Sequence, residues 1–321
     1  MKKSIIGPCI VTSLLLFILL TASQGVANGA KSALHTCGTI IIPCLLPFFT
    51  VSYLIGVLGL PVYLGQALHK PMAILFGTSG TGASIFVLSI LGGYPLGAAV
   101  IADHVKRGDI STDDANKLLR FCNNSGPAFL IGAAGIGIFH SSPIGVFLYG
   151  IHILSAVITG LFLSDTHLPS EAPCPILISS TNLSESLTQS ITKATAQLLY
   201  ICGYIVCFGA VIGALEEYGI FPSVYGTLSQ FTCLPLSLTK ALCMGVLELS
   251  CGIGALSGVP LTPQSLTVCS FLISFGSISV CLQTAAVLAD SGIQLRNHIL
   301  GRICCGGISA FLTFTISSVM L

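Results

Sequence analysis

An all-α polytopic membrane protein, built as two inverted repeats with re-entrant hairpins and broken helices, is the fold class this sequence predicts. Three observations predict it. Only 7% of the 321 residues are charged and 53% are hydrophobic, whereas soluble domains carry about 25% charged residues; the mean hydropathy is +0.96. Formal charges are missing from long stretches that each fit one or more membrane-embedded segments. An apolar stretch broken by Gly or a polar residue, followed by one with a polar centre, occurs once in each half of the chain. This composition excludes a soluble enzyme and a disordered chain. With 12 Lys+Arg against 11 Asp+Glu, no net field exists to attract nucleic acid. At about 20 residues per span, the length allows roughly seven to ten membrane segments.

Met1-Lys2-Lys3 precedes a charge-free run from Ser4 to Ala30. This run, 1–30, reads as an N-terminal transmembrane helix; a cleaved signal peptide is the alternative, with small residues between Ala22 and Ala27. Lys2 and Lys3 place the N-terminus inside, so helix 5–23 leads out and helix 33–60 leads back in. Between Ser32 and Ala102 the only formal charge is Lys70. Residues 83–102 could cross once, but crossing would export Lys106, Arg107, Lys117 and Arg120. The preferred alternative is a hairpin that enters and returns on one side, broken at Gly92-Gly93-Tyr94-Pro95, where Gly frees the backbone and Pro removes a donor. Non-helical backbone at membrane depth survives only when buried in protein or lining a cavity, so the break points to a polar site.

Asp103 to Arg120 is the aqueous segment of the first half. Ser111 and Asp114 form a capping box that starts a short helix with an apolar face of Leu118, Leu119 and Phe121; a helix on the membrane surface is expected. Asn123-Asn124-Ser125-Gly126-Pro127 opens the next apolar stretch. Its amides and hydroxyl supply donors and acceptors, and Gly-Pro starts a helix whose free N–H groups point back to the break. A plain interfacial helix cap is the competing reading. The first repeat spans 31–163. Residues 164–193, rich in Pro, Ser and Thr, form a polar linker.

The second repeat spans 194–321. LGGYPLGA (91–98) aligns with ELSCGIGA (248–255), and the polar-centred FCNNSGP (121–127) with FGSISVC (275–281), at offsets of 157 (248 against 91) and 154 (275 against 121). Glu248 is the only acidic residue between Glu217 and Asp290. An ionisable side chain inside a membrane costs a few kcal/mol and is a functional hypothesis by default. It either binds a cation or solute, or is held at a helix terminus. Ser250, Ser277, Ser279 and Gln283 complete the polar set of this half. The first repeat starts outside and the second inside, which is an inverted arrangement; transporters are commonly built so, with broken helices meeting at the midplane.

His35, His69, His140, His152 and His298 fall at expected segment ends and read as interfacial. Arg296, Asn297, His298 and Arg302 read as the cytoplasmic end of the last helix. The 14 Cys sit singly in apolar runs, without CxxC or clustered His; they read as small hydrophobes rather than as a metal or disulfide framework. No Walker motif, nucleophile elbow, HExxH or dinucleotide fingerprint occurs, so no enzyme activity, cofactor or metal is expected.

LPFF (46–49), GGYPLGA (92–98), FCNNSGPAFLIGAAGIGIF (121–139) and FGSISVCLQ (275–283) resemble the nucleoside-recognition (Gate) domain membrane proteins. Within that family the chain resembles the sporulation integral membrane proteins of spore-forming Firmicutes, from about residue 30 to 320. The resemblance implies a relative of concentrative nucleoside carriers whose spore members move dipicolinate, a small aromatic dianion. It carries over Gly92, Gly93, Tyr94, Pro95, Asn123, Asn124, Ser125, Gly126, Pro127, Glu248 and Ser279. The expectation is a multi-pass protein of the bacterial inner or spore membrane that moves a small polar or anionic solute, dipicolinate-like or nucleoside-like. H+ or Na+ is the coupling cation to consider, and the lipid bilayer, a second copy or other sporulation membrane proteins the partners, with no nucleic acid. A non-transporting scaffold for spore formation is the alternative.

Overall fold

The computed structural model describes residues 3–78, 80–163 and 182–320. The fold is all-α, with 84% of the described residues helical and no strand among them. The N-terminal helix α1 (Lys3–Thr21) is apolar along its whole length and turns Ile6, Ile10, Leu14 and Phe17 outward. Next, α2 (Ser23–Thr36), a π-helical turn (Cys37–Ile41) and α3 (Ile42–Val57) run on as one span of 35 residues. The expected division at 30/31 falls inside that span.

Five helical stretches among the described residues are long and apolar enough to cross a bilayer: Ser23–Val57, Ser142–Leu163 (α8), Leu183–Glu217 (α9), Pro263–Leu288 and Leu295–Met320 (α15). Lys70–Phe76, the end of α4 (Leu60–Phe76), meets α5 (Gly80–Gly92) at 92° and makes a sixth if the pair is one span. Seven to ten segments were expected. Breaks account for part of the difference, leaving Ala128–Ile138 and Leu236–Leu247 too short to span alone.

The first expected break is real. Helix α6 (Leu96–Arg107) follows α5 after three residues, and a Cβ on Gly97 would lie 2.9 Å from the Ser89 Cβ. Eight residues of unbroken helix would hold those positions about 12 Å apart, so the chain doubles back at Gly92–Pro95. The second half repeats the device. Helix α11 (Leu236–Leu247) gives way to α12 (Leu249–Gly254) at Glu248, and a Cβ on Gly252 would lie 2.8 Å from the Ala241 carbonyl oxygen. A broken segment follows each hairpin. In the first half residues 121–126 are unwound before a π-helical stretch (Ala128–Ile138); in the second, α13 (Pro263–Phe275) and α14 (Ile278–Leu288) are split at Gly276–Ser277.

The surface helix is placed differently from expectation. Ser111 does cap α7 (Thr112–Leu119), accepting from the Asp114 N–H at 3.0 Å. Its apolar face, however, is buried inside the protein: Ala115, Leu118, Leu119 and Phe121 pack with Met72, Phe76, Ile85 and Ile101. That face is wide enough to join the core of the first half instead of floating on lipid. The expected linker 164–193 lies outside the described residues up to 181; from Leu183 on it is already helix α9, capped by Asn182.

Helices α2 and α9 meet through small residues. A Cβ on Gly25 would collide with the Gly213 carbonyl oxygen, and one on Gly29 with that of Gly209. Lipid gives no hydrophobic drive for helices to associate, so close backbone approach at Gly is a main source of contact energy.

Candidate functional site

All thirteen residues expected at the site are buried. The breaks leave helix-terminal backbone groups that must find partners inside the protein, and side chains supply them. Ser52 Oγ donates to the Leu91 carbonyl at 3.1 Å and Tyr149 Oη to the Ile90 carbonyl at 2.9 Å, closing the end of α5. Tyr94 Oη donates to the Ile273 carbonyl at 3.2 Å near the end of α13. Asn123 Oδ1 accepts from the Ala98 N–H at 3.3 Å in the first turn of α6. The Ser125 N–H donates to His152 Nε2 at 3.0 Å.

The tip of the first hairpin touches the unwound segment through two glycines. Gly93 has φ +79°, and a Cβ on it would lie 3.0 Å from Gly126 N; a Cβ on Gly126 would lie 3.0 Å from Gly93 N. In the second half, Glu248 is extended (φ −141°, ψ 118°) and its Oε2 accepts from the Cys251 N–H at 2.8 Å. Ser277 Oγ caps α14 by accepting from Val280 N–H at 3.1 Å, and Gln283 Nε2 donates to Ser279 Oγ at 3.2 Å.

A cavity of 50 Å³ lies where these pieces meet. Gly93, Tyr94, Ser125, Gly126, Glu248, Ser250 and Gln283 line it together with apolar side chains such as Leu45, Phe49 and Phe129. Seven of the thirteen expected residues therefore share one space, drawn from both halves of the chain. Gly92, Pro95, Asn123, Asn124, Ser277 and Ser279 stand behind the wall. Asn123 Nδ2 donates to Thr284 Oγ1 at 3.1 Å, and Asn124 Nδ2 donates to Ser89 Oγ at 3.0 Å and to the Phe121 carbonyl at 2.7 Å. The cavity holds about one or two waters, well short of the several hundred Å³ of a small-molecule site.

A larger cleft, 670 Å³, opens between α2, α9, α11 and α12. Gln24, Asn28, Ser32 and Thr36 line it at four-residue spacing, facing Glu216 and Lys240, whose charged atoms are 3.4 Å apart. A narrow 10 Å³ neck lies between the two: Thr36 and Gly254 line both cleft and neck, and Ile41, Phe129 and Ser250 line both neck and inner cavity. The cleft, the neck and the Glu248 cavity thus form one row.

Three expectations about basic residues are corrected. His152 and His298 are not interfacial; both are fully buried. His152 accepts at Nε2, so its proton sits on Nδ1 and donates to Ser274 Oγ at 2.7 Å. Ser274 Oγ donates onward to Ser309 Oγ at 2.9 Å, and Ser309 meets Ser270 Oγ at 2.6 Å. Nor does Arg302 mark a helix end: it is fully buried within α15, hydrogen-bonded to Tyr94 and Asn124. A signal for this was present in the sequence. His298, Arg302, Ser309, Thr313 and Ser317 recur at three- or four-residue multiples along α15 and form its buried face. His35 and His140 are exposed, His35 within the continuous span Ser23–Val57 and not at its end. Among the described residues no cluster of three or more His, Cys, Asp or Glu side chains could hold a metal.

No protein-family model matches the chain. It is 26% identical to the sporulation integral membrane protein YlbJ of Bacillus subtilis (strain 168) over 340 aligned positions, which cover 97% of this chain and 83% of YlbJ. Among solved structures it is similar to CNTnw in an inward-facing substrate-bound state, with a TM-score of 0.58 and 12% identity over 98% of this chain and 86% of that one. Substituted forms of CNTnw in an intermediate and an outward-facing state each give a TM-score of 0.53, at 13% and 12% identity, over 96% of this chain and 88% and 85% of theirs. These likenesses establish the fold: a polytopic, transporter-like arrangement with a sporulation membrane protein as a homologue.

Proposed function

We propose that this protein is a permease for a small polar or anionic solute, working in the membranes of a sporulating cell. The observation that carries the reading is the convergence of two hairpin tips and two broken segments on the single cavity that contains Glu248. The inward- and outward-facing states named for CNTnw support alternating access, and the likeness to YlbJ supports the sporulation setting. The units of the mechanism are the repeats 31–163 and 194–321, joined by 164–193. By the basic residues that place the N-terminus and loop 103–120 inside, the cleft beside Gln24 and Glu216 opens outward. The 50 Å³ cavity is then the occluded end of that route.

The solute enters past Thr36 and Gly254 when the neck widens. Ser125, Ser250 and Gln283 supply hydrogen bonds, and Tyr94 and Phe129 supply flat apolar surface. The backbone around Gly93 and Gly126 provides close approach without side chains. Glu248 orients the solute or exchanges a proton with it.

The test is uptake of labelled dipicolinate, and separately of labelled uridine, into liposomes holding the purified protein. Uptake of one of them is expected, and Glu248→Gln should reduce it about tenfold or more, the loss of one charged hydrogen bond. Absence of uptake of either by a protein shown to be folded would overturn the reading in favour of a scaffold.

A further inference from the structure

Arg302 is the one fully buried guanidinium among the described residues, and the surroundings it has chosen are unusual. It sits within the crossing helix α15, yet it reaches the first hairpin, the unwound segment and the end of α13. Its Nη1 donates to Tyr94 Oη at 3.1 Å, to Asn124 Oδ1 at 3.2 Å and to the Ser274 carbonyl at 3.5 Å; its Nη2 donates to the Arg120 carbonyl at 3.4 Å. Those four oxygens come from the first hairpin tip, the unwound segment, the end of α13 and the end of α7. All four are neutral. No carboxylate among the described residues pairs with Arg302, since the ion pairs found there involve other groups. Its Nε finds no partner among the described residues.

A buried charge of this kind is poor stabilisation. Desolvation offsets most of the attraction even for a paired ion, and an apolar replacement is often neutral. Close packing fixes the group in place: Gly301 lies so near the Arg120 carbonyl that a Cβ there would collide with it. Several neutral oxygens converging on one positive charge is the chemistry of a hard-cation cage. Here the cation is covalently part of the chain.

We infer that Arg302 is a tethered cation that takes the place of a bound alkali ion: it draws the hairpin tip, the unwound segment and α13 together, so the Glu248 cavity assembles without Na+. Tyr94 lines that cavity and Asn124 adjoins Ser125 and Gly126, so fixing these two oxygens fixes its wall. Any ion coupling then falls to a proton on Glu248. The assembling role stands on these contacts alone; its consequence for coupling rests on the permease reading above.

The experiment uses the full chain in lipid nanodiscs and needs no solute for its first arm. Thermal unfolding is followed in NaCl, KCl and choline chloride. The wild-type midpoint is expected to be the same in all three; a midpoint clearly higher in NaCl than in choline would overturn the inference. Arg302→Ala is expected to unfold several degrees lower, and to be restored in part by millimolar guanidinium or Na+, which leave the wild type unmoved. A variant lowered but rescued by neither cation would show a merely packing role and would also overturn it. If Arg302→Ala does not fold, Arg302→Lys decides: a folded, Na+-indifferent protein supports a charge requirement, and a Na+-dependent one refutes it. The second arm measures dipicolinate and uridine uptake with Na+ replaced by choline. Unchanged uptake supports the inference and Na+-dependent uptake overturns it. Should neither solute move while the unfolding results hold, the permease reading fails and the tethered cation stands.

Discussion

Gly93 and Gly126 show how much of the site depends on atoms that are missing. Gly93 sits at φ +79°, where an L side chain is strained, and the place its Cβ would take is 3.0 Å from Gly126 N. Gly108 has the same φ but open space around it. Gly108→Ala should therefore cost only the left-handed penalty, about 1–2 kcal/mol. Gly93→Ala should cost more and should also lower solute uptake, because the Cβ pushes the hairpin tip off the unwound segment. Unfolding midpoints of the two variants, side by side, check this; equal losses would mean the close approach does not matter. At this scale the sequence was informative wherever a residue was out of place in an apolar run. Gly92–Pro95, Asn123–Gly126 and Glu248 stood out for that reason, and the structure brings seven of the thirteen expected residues to one cavity. Arg302 and His152 did not stand out. A polar residue near the apparent end of a span, taken singly, reads alike whether it faces water or the bundle; for Arg302 only its periodicity with Ser309, Thr313 and Ser317 told the two apart.

Elements were legible where local chemistry defines them and obscure where partners do. The Ser111 cap of α7 and the doubling back at Gly92–Pro95 follow from turn and capping chemistry. The polar face of α15 and the seam between α2 and α9 follow from periodicity, but periodicity does not say which helix lies opposite. That seam yields a sharp test. A Cβ on Gly213 would strike the Gly25 carbonyl oxygen, whereas Gly203, nearly three turns earlier on α9, has nothing within 4 Å. Gly213→Leu should force the helices apart and cost about 3 kcal/mol or more. Gly203→Leu should be neutral or slightly stabilising, since Gly weakens a helix interior by about 1 kcal/mol. Retained monodisperse protein after heating is the readout; if both variants behave like wild type, α2 and α9 do not pack as described.

Across the whole molecule the row of spaces matters more than any one of them. The inner cavity is too small for a solute and the cleft is large enough for one, so the permease reading requires that the neck between them change width. The neck is walled by Thr36, Ile41, Phe129 and Gly254. Three of these lie on elements that move only if α2, the π-helical stretch after Pro127 or the second hairpin shifts as a unit. In a background cleared of the 14 native cysteines, a Cys at Asn28 should react with a membrane-impermeant maleimide from outside, because Asn28 lines the open cleft. A Cys at Ser125, on the inner cavity, should react far more slowly, at a rate set by how often the neck opens. Gly254→Trp fills the neck, of whose lining only Ile41, Phe129 and Ser250 also face the inner cavity, and should abolish both labelling at Ser125 and solute uptake. Fast labelling at Ser125 that Gly254→Trp does not slow would mean the cavity is reached from elsewhere, and the row of spaces would then be packing voids instead of a path.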